Sequence, residues 1–456
     1  MSSFLFSIRV FSLGVLFLFS FLSAKEENRL PNLVYIMVDD LGYGDLGCYG
    51  STQHRTPVID QLAAEGARLT DFYVSAVCTP TRTAFLTGRH PARERLFEVL
   101  WPTSEGGLDP SAVTIAEWLS EYGYKSHCIG KWHVGHMEEE QLPLGQGFDE
   151  WYGIPYPNDM GPGHPQEGFR NESWPPIPMY RGTEVVEAPI DNDLLTQQFT
   201  AEAVRFIAEN HHRPFFLFLS HAMPHTILGA SPDFKGRTEN GLFGDSVEEL
   251  DWGVGEVLRA LRVFGLEENT LVVFVSDNGA SMRPWKKVEG IEWGLGSNGE
   301  LRSGKMYSFE GGIRVPAIYR WPGVIPEGQV IDTAVNILDT IPTFAEMAGI
   351  ESLDSAIDGV SIGPVLRGES HDLDDRPIFV GSGRIDAVRK GKWKYMVSSE
   401  PTWKSDIEWE PLLFDLSQDI GEKQNLVSEK PEVAKEMKAI LDAFQAEVDA
   451  DYEARN

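Results

Sequence analysis

Cysteine is scarce in this chain: Cys48, Cys78 and Cys128 are the only three in 456 residues. So small and odd a number excludes a disulfide-stapled framework, and at least one thiol must serve another purpose. Long apolar runs are scarce too. Beyond the first two dozen residues nothing approaches the roughly 20 apolar residues of a membrane span, so stable membrane insertion is not expected. Basic residues are outnumbered, 39 Lys and Arg against 69 Asp and Glu, for a formal charge of −30. Such a balance excludes non-specific nucleic-acid binding, which needs basic surface to neutralise phosphate. Positive charge for any anionic ligand must therefore be local. Internal repeats and low-complexity tracts are missing as well.

The amino terminus does carry an apolar run, Val10 to Leu22, behind a single positive charge at Arg9 and ahead of Ser23 and Ala24. This layout predicts a secretory signal peptide over residues 1–24, cut after Ala24. Export to the periplasm or the extracellular medium follows. No cysteine succeeds the cut, so lipid attachment has no support. About 430 residues remain, ample for a large core and one or two domains.

Four stretches share one design, a short apolar run that stops abruptly at polar side chains: LVYIMVDD (33–40), SHCIGKWH (126–133), PFFLFLSHAMPH (214–225) and LVVFVSDN (271–278). Helical patterns lie between them, over 56–67, 111–122, 193–211 and 246–264. In the first, Thr56 is the expected N-cap and Pro57 the first helical residue. Alternation of this kind predicts an α/β fold, a large and mostly parallel sheet sandwiched by helices. Ligands of such sheets bind beyond the carboxyl ends of the strands, so the polar residues that end the four runs are expected to converge. From about Ser355 the pattern changes to short antiparallel strands and a terminal amphipathic helix. We therefore expect a catalytic α/β domain over 25–354 and a C-terminal α+β subdomain over 355–456. The Pro-rich stretch from Ile154 to Pro189 has little periodicity and reads as a surface excursion near the pocket.

Asp39-Asp40 and Asp277-Asn278 offer three carboxylates and an amide carbonyl, an all-oxygen donor set that suits Ca²⁺ or Mg²⁺. Asp and Asn at strand ends also start turns, so each pair alone says little. Lys131 and His133 alternate about Trp132 and would face one side of an extended segment. His225 follows Pro224 just past another run, where a lone histidine is more often structural than catalytic. Lys305 sits in a Gly-rich turn that would otherwise hold a solvated lysine. Cys78 lies at or just before the positive end of a helix with Pro80 in its first turn and Gly88 as its stop. Amide donors there, with Arg82, favour an anion. Cys78 fits either a small buried hydrophobe or a thiolate nucleophile.

Taken together these residues resemble the type I sulfatases, the arylsulfatase-like branch of the alkaline phosphatase superfamily, from about Pro31 to the terminal helix. The most specific element is C-x-P-x-R at Cys78, Pro80 and Arg82, extended by Leu86-Thr87-Gly88-Arg89. VDDLGYGDLGCYG, GKWHVG, SDNG, GGIRVP and LLFDLSQDIGEKQNL support it. The resemblance implies that Cys78 is the precursor of Cα-formylglycine, made by a formylglycine-generating enzyme that reads the flanking Thr-Pro-Thr-Arg.

It further implies one calcium ion on Asp39, Asp40, Asp277 and Asn278, and a hydrated aldehyde steadied by Arg82. Lys131 and Lys305 would clamp the sulfate, His225 or Lys305 would protonate the leaving alcohol, and His133 would take a proton from the second hydroxyl to expel sulfate. Substrates are expected to be sulfate esters of short saccharides from polysaccharide or glycosaminoglycan, since an acidic surface repels a long polyanion. Asn158, Asp159, His164 and Arg170 are candidates for sugar contacts, and Asn171-Glu172-Ser173 is a glycosylation sequon. A phosphodiesterase or phosphonate monoester hydrolase of the same superfamily is the alternative enzyme, and a non-catalytic binder of sulfated glycans the alternative class. Cys48 and Cys128 are expected to be unpaired and outside the chemistry.

Overall fold

The strand Asn32–Val38 (β1) reads NLVYIMV, and all seven residues are buried. An apolar run this unbroken belongs inside a sheet covered on both faces. In the computed structural model, which describes residues 29–162, 173–282, 296–351, 357–369, 372–381, 385–399 and 410–455, β1 lies at the middle of an eleven-stranded sheet. The proposed signal peptide, His164, Arg170 and most of the sequon fall outside the described residues.

The other strands of this sheet are β2 (Ala67–Tyr73), β3 (Lys125–Lys131), β4 (Glu150–Ile154), β5 (Met179–Arg181), β6 (Glu184–Glu187), β7 (Phe215–Ser220), β8 (Thr270–Ser276), β9 (Arg314–Arg320), β10 (Gln329–Ile331) and β11 (Val335–Asn336). Their order is β10-β2-β9-β8-β1-β7-β3-β4-β5-β6, with β11 also on β2. The central block β8-β1-β7-β3-β4 is parallel throughout. β9 is antiparallel to both β2 and β8, and the short β5 and β6 extend the far edge antiparallel. The mostly parallel sheet expected from the sequence is thus present, with antiparallel pairings toward both edges.

Side chains alternate between two cores. Leu33, Tyr35, Met37, Phe216, Phe218, Val273 and Val275 face one. Val34, Ile36, Val38, Leu217, Leu219, Val272 and Phe274 face the other. The first core is closed by helices α2 (Cys78–Thr87), α3 (Ile115–Glu121) and α7 (Thr340–Ala348), the second by α1 (Pro57–Ala64), α4 (Leu195–Asn210) and α5 (Gly241–Val263). Each fully buried Leu or Phe in these layers stabilises the fold by roughly 1.5–3 kcal/mol relative to exposure.

Helix boundaries differ from expectation where side chains bind backbone. Thr56 precedes α1 but its hydroxyl bonds the Asp60 carboxylate rather than a helix amide; Asp251 from α5 caps Val58 and Ile59 instead. α3 starts after Thr114, which forms a capping box with Glu117, so Ser111 stays outside. α5 begins at Gly241, five residues before Ser246, because Asp245, one turn into the helix, accepts the amides of Gly236, Arg237 and Thr238 and folds the incoming chain back. The Ile154–Pro189 excursion is partly regular, since β5 and β6 form a hairpin about Gly182 (φ 61°). Strands of three and four residues are too short to print an alternation.

Beyond α6 (Glu310–Ile313) and α8 (Gly363–Leu366), the C-terminal part builds a separate antiparallel sheet in the order β12 (Ile378–Val380), β13 (Ala387–Lys390), β14 (Trp393–Met396), β15 (Leu412–Asp415). Both faces are covered. Val388, Tyr395 and Leu413 pack under the terminal helix α9 (Pro431–Arg455), while Ala387, Met396 and Phe414 pack against Tyr73, Phe309 and Ile313 of the main body. No helix among the described residues is long and apolar enough to cross a membrane.

Candidate active site

Because β1, β3, β7 and β8 are parallel and in close register, with Val38 opposite Ser276 and both Met37 and Gly130 opposite Ser220, their carboxyl ends lie at one edge of the sheet. Asp39-Asp40, Lys131, His221 and Asp277-Asn278 therefore emerge together. α2 brings Cys78 to the same place. Its ten residues are all buried, five of them Thr or Arg, and each polar side chain is bonded: Thr83 and Thr87 hydroxyls donate to carbonyls one turn back, and Thr79 donates to the His133 carbonyl at 3.0 Å. Val77 precedes the helix in extended conformation without capping its amides, and Gly88 ends it at φ 65°.

Cys78 Sγ lies 3.2 Å from His133 Nδ1. The opposite ring nitrogen, Nε2, bonds the Leu100 carbonyl at 2.9 Å, so in the neutral ring Nε2 carries the proton and Nδ1 faces residue 78 as acceptor. Burial, with Lys131 close by, holds the imidazole well below its ordinary pKa. Burial raises the Cys78 thiol despite Lys131 and Lys305, which argues against a resting thiolate.

Carboxylates and cations interleave. Lys131 Nζ is 2.6 Å from Asp39 Oδ2 and 4.0 Å from Asp277 Oδ2, and Lys305 Nζ is 2.6 Å from Asp40 Oδ1. Arg82, fully buried, donates from Nε and a terminal nitrogen to Asp277 Oδ2 at 3.2 and 2.8 Å, and from its other nitrogen to the Lys131 carbonyl and Ser220 Oγ. Its hydrogen bonds thus go to groups that frame residue 78 and not to the thiol. His225 Nδ1 bonds the Thr226 carbonyl and its Nε2 is 3.7 Å from Asp40 Oδ2.

The four residues expected as metal ligands lie together, and His225 joins Asp39 and Asp40. Asp39, Asp40 and His225 present ligand atoms within 4.8 Å of one another. Asp277 Oδ1 accepts the Asp40 amide at 3.3 Å, and Asn278 Nδ2 donates to Asp40 Oδ1 at 2.7 Å. Asp39 Oδ1 and Asn278 Oδ1 are buried with no hydrogen-bond partner, as suits oxygens meant for another ligand. Burial alone would raise the Asp39 carboxyl, but Lys131, with His225 and Lys305, brings it below its usual value; burial and Asp39 together raise Asp277. With Asp39, Asp40 and Asp277 against Arg82, Lys131 and Lys305 the site is formally neutral. A divalent cation would make it positive and fit it for an anionic ester. Asp40 (φ 63°) and His133 (φ 66°) both hold left-handed backbone, a strain that clusters at functional sites.

The chain matches the sulfatase family over residues 31–350, and its residues 302–447 match the family described as N-sulphoglucosamine sulphohydrolase, C-terminal. The chain belongs to the sulfatase family. It is similar to bovine (Bos taurus) arylsulfatase A, 39% identical with 92% of this chain and 88% of that protein covered. It is also similar to the N-acetylgalactosamine-6-sulfatase of Canis lupus familiaris, at 38% identity with 82% and 73% covered. Among solved structures, the PsFucS1 sulfatase from Pseudoalteromonas sp. superposes with a TM-score of 0.80 at 28% identity, over 95% of this chain and 93% of that one. The protein is a sulfuric ester hydrolase.

Sequence reading had missed several residues of this sulfatase's site. Ser220 accepts from Arg82 and donates to the Lys131 carbonyl at 2.7 Å, yet in sequence it is one more residue at a strand end. The Leu100 carbonyl that sets the His133 tautomer has no side-chain signature at all. Asn158, expected to contact sugar, is buried and donates to Asn192 Oδ1 and the Ile227 carbonyl, bracing the segment after His225. Cys48 and Cys128 are unpaired, as expected.

Proposed function

We propose that this sulfatase is an exported enzyme that removes sulfate from short saccharides, with residue 78 converted to formylglycine and calcium held by Asp39, Asp40, Asp277 and Asn278. The approach of His133 Nδ1 to Cys78 Sγ, inside a cluster of carboxylates and cations, carries the reading. Bound calcium supplies a Lewis acid for sulfate oxygens, and the hydrated aldehyde supplies a nucleophilic hydroxyl with a second one beside it.

The chain's own side chains do the rest. Lys131 and Lys305 bind sulfate oxygens as fixed charges. Asp40, 2.6 Å away, orients the Lys305 ammonium for that task. His225 Nε2, with Nδ1 tied to Thr226, protonates the leaving oxygen. His133 Nδ1 withdraws the proton from residue 78. Arg82 keeps Asp277 and the Lys131 carbonyl in place.

A cavity of about 340 Å³ opens beside Lys305, lined by Ser281, Met282, Ser303, Tyr307 and Ser399 among others. Its size and hydroxyl content suit a sugar better than an extended polymer. The test is turnover of defined sulfated mono- and oligosaccharides, against matched phosphate esters, by protein whose residue-78 mass is known. Faster hydrolysis of phosphate diesters than of any sulfate ester would overturn the reading.

A further inference from the structure

The stretch LLFDLSQDIGEKQNL (412–426) contributes none of the site residues above. Its Glu422 nevertheless reaches the loop that carries Lys305. That loop runs from Arg302 to Glu310, and its feet are joined where the Gly311 amide donates to the Arg302 carbonyl at 2.9 Å. Ser303 (φ 62°) and Met306 (φ 81°), neither a glycine, hold left-handed backbone on either side of Lys305. Such backbone is strained for a residue with a Cβ, so the surroundings must impose the conformation. The main body supplies part of the hold, with Lys305 N–H donating to Ala280 at 3.0 Å and Met306 N–H to Ala76 at 2.7 Å.

Asn298 Nδ2 donates to the Ser303 carbonyl at 2.9 Å and Ser308 Oγ to Asp386 Oδ2 at 3.2 Å, and Glu422 holds the ends. Arg302 donates to its main-chain carbonyl, and the Glu310 amide donates to its Oε2 at 2.7 Å, so one residue grips both feet of the loop. Its Oε1 accepts from Lys394 Nζ at 2.7 Å, and the same ammonium donates to Glu310 Oε1 at 2.9 Å. Lys394, Glu310 and Glu422 are all 0% exposed. Glu422 itself is left-handed (φ 50°), fixed by its amide on the Asp419 carbonyl at 3.1 Å.

We propose that Glu422, anchored by Lys394 of the small sheet, is a positioning residue that sets where the Lys305 ammonium stands. This rests on the reading of Lys305 as a sulfate-binding group. It gives the C-terminal sheet a part in turnover beyond packing.

Removing the Glu422 carboxylate leaves Lys394 on Glu310 at 2.9 Å, and Glu310 keeps Arg314 at 3.4 Å and the Tyr73 hydroxyl at 2.7 Å, so no charge in the cluster loses its last partner. Glu422→Ala is therefore expected to fold. The experiment is a double-mutant cycle with Lys305→Ala, reading kcat and KM on an aryl sulfate at equal modification of residue 78, with melting curves alongside. Glu422→Ala should lower kcat/KM by about 10- to 100-fold, as misplacement of a binding charge does, and by less than about 3-fold when Lys305 is already Ala. Glu422→Gln, which keeps one acceptor oxygen for the Glu310 amide but turns a donor toward Lys394 Nζ, should recover only part of the loss. An equal fold-loss in both backgrounds, or wild-type activity in Glu422→Ala, would overturn the proposal. Wild-type kcat and KM in Lys305→Ala would instead sink the sulfate-binding reading of Lys305, and the positioning role with it. If Glu422→Ala does not fold, Glu422→Asp takes its place under the same criteria.

Discussion

His133 stands between two fixed points, with Nδ1 3.2 Å from Cys78 Sγ and Nε2 2.9 Å from the Leu100 carbonyl. The second contact selects the tautomer that makes the first useful, since only an unprotonated Nδ1 can accept from residue 78. Burial holds the ring's pKa well below the ordinary value. The neutral form exists above the folded pKa, so the base remains available as pH falls through 6.5. The acid limb of kcat should accordingly lie well below pH 6.5, and His133→Gln should cost about 10²- to 10⁴-fold in kcat. A wild-type limb near 6.5 that disappears in the Gln variant would contradict this.

Arg82 and Asp277 form an ion pair at 2.8 Å with both side chains 0% exposed. Removing one member of such a pair strands the other charge. Arg82→Leu should lower unfolding stability by about 3–5 kcal/mol, measured by urea titration, and Arg82→Leu with Asp277→Asn should recover part of it. A loss under about 1 kcal/mol in the single variant would mean that water or another cation reaches Asp277.

Calcium should bind tightly enough to be seen without any assay of activity. Three carboxylates and the Asn278 amide converge here, with Asp39 Oδ1 and Asn278 Oδ1 unpartnered, so the melting temperature should rise with added calcium and fall on chelation, the unfolding free energy gaining about 2.7 kcal/mol at a hundredfold excess over Kd. Asp40→Asn and Asn278→Ala should lose most of that response. Equal melting with and without chelator in the wild type would remove the ion from the account.

The parts of this site that were legible in sequence are those where chemistry resides in a side chain at an abrupt strand end, as at Asp39, Lys131 and Asp277. Parallel register then guarantees that they meet. What escaped was carried by backbone or by a common residue: the Leu100 carbonyl, Ser220 at the end of β7, and Asn158 turned inward to Ile227. The start of α5 escaped because Asp245 caps the preceding loop instead of the helix, a choice made by tertiary contacts. β9 escaped as an antiparallel insertion because a buried strand reads alike in either direction.

His221 is fully buried beside Phe199, with neither ring nitrogen hydrogen-bonded, and burial lowers it to about 3. The unfolded chain takes up this proton near pH 6.5 while the folded one refuses it. Stability from the neutral ring is thus complete above 6.5 and is lost as pH falls toward 3, by about 1.4 kcal/mol per pH unit. His221→Leu removes that dependence, so its melting temperature should gain on the wild type between pH 7 and pH 4.5. Parallel melting curves for the two proteins over that range would show that the ring finds a proton-stabilising partner.

The remaining prediction concerns residue 78. If Cys78 is the precursor of formylglycine, a peptide containing it, from protein made alongside the modifying enzyme, should show loss of H₂S and gain of O. Activity should scale with that fraction, because a thiol has no second hydroxyl through which His133 Nδ1 can drive sulfate out. Cys78→Ala should fold normally, since it removes a single heavy atom, Sγ, from the start of α2 and leaves the Arg82 bonds untouched, yet it should hydrolyse no sulfate ester. Arg82→Ala is harder to read, as it can block both modification and turnover, but the mass at residue 78 in that variant separates the two. Hydrolysis by fully unmodified protein at the rate of the modified form would exclude formylglycine, and a thiolate route would have to work against the burial that raises the Cys78 thiol.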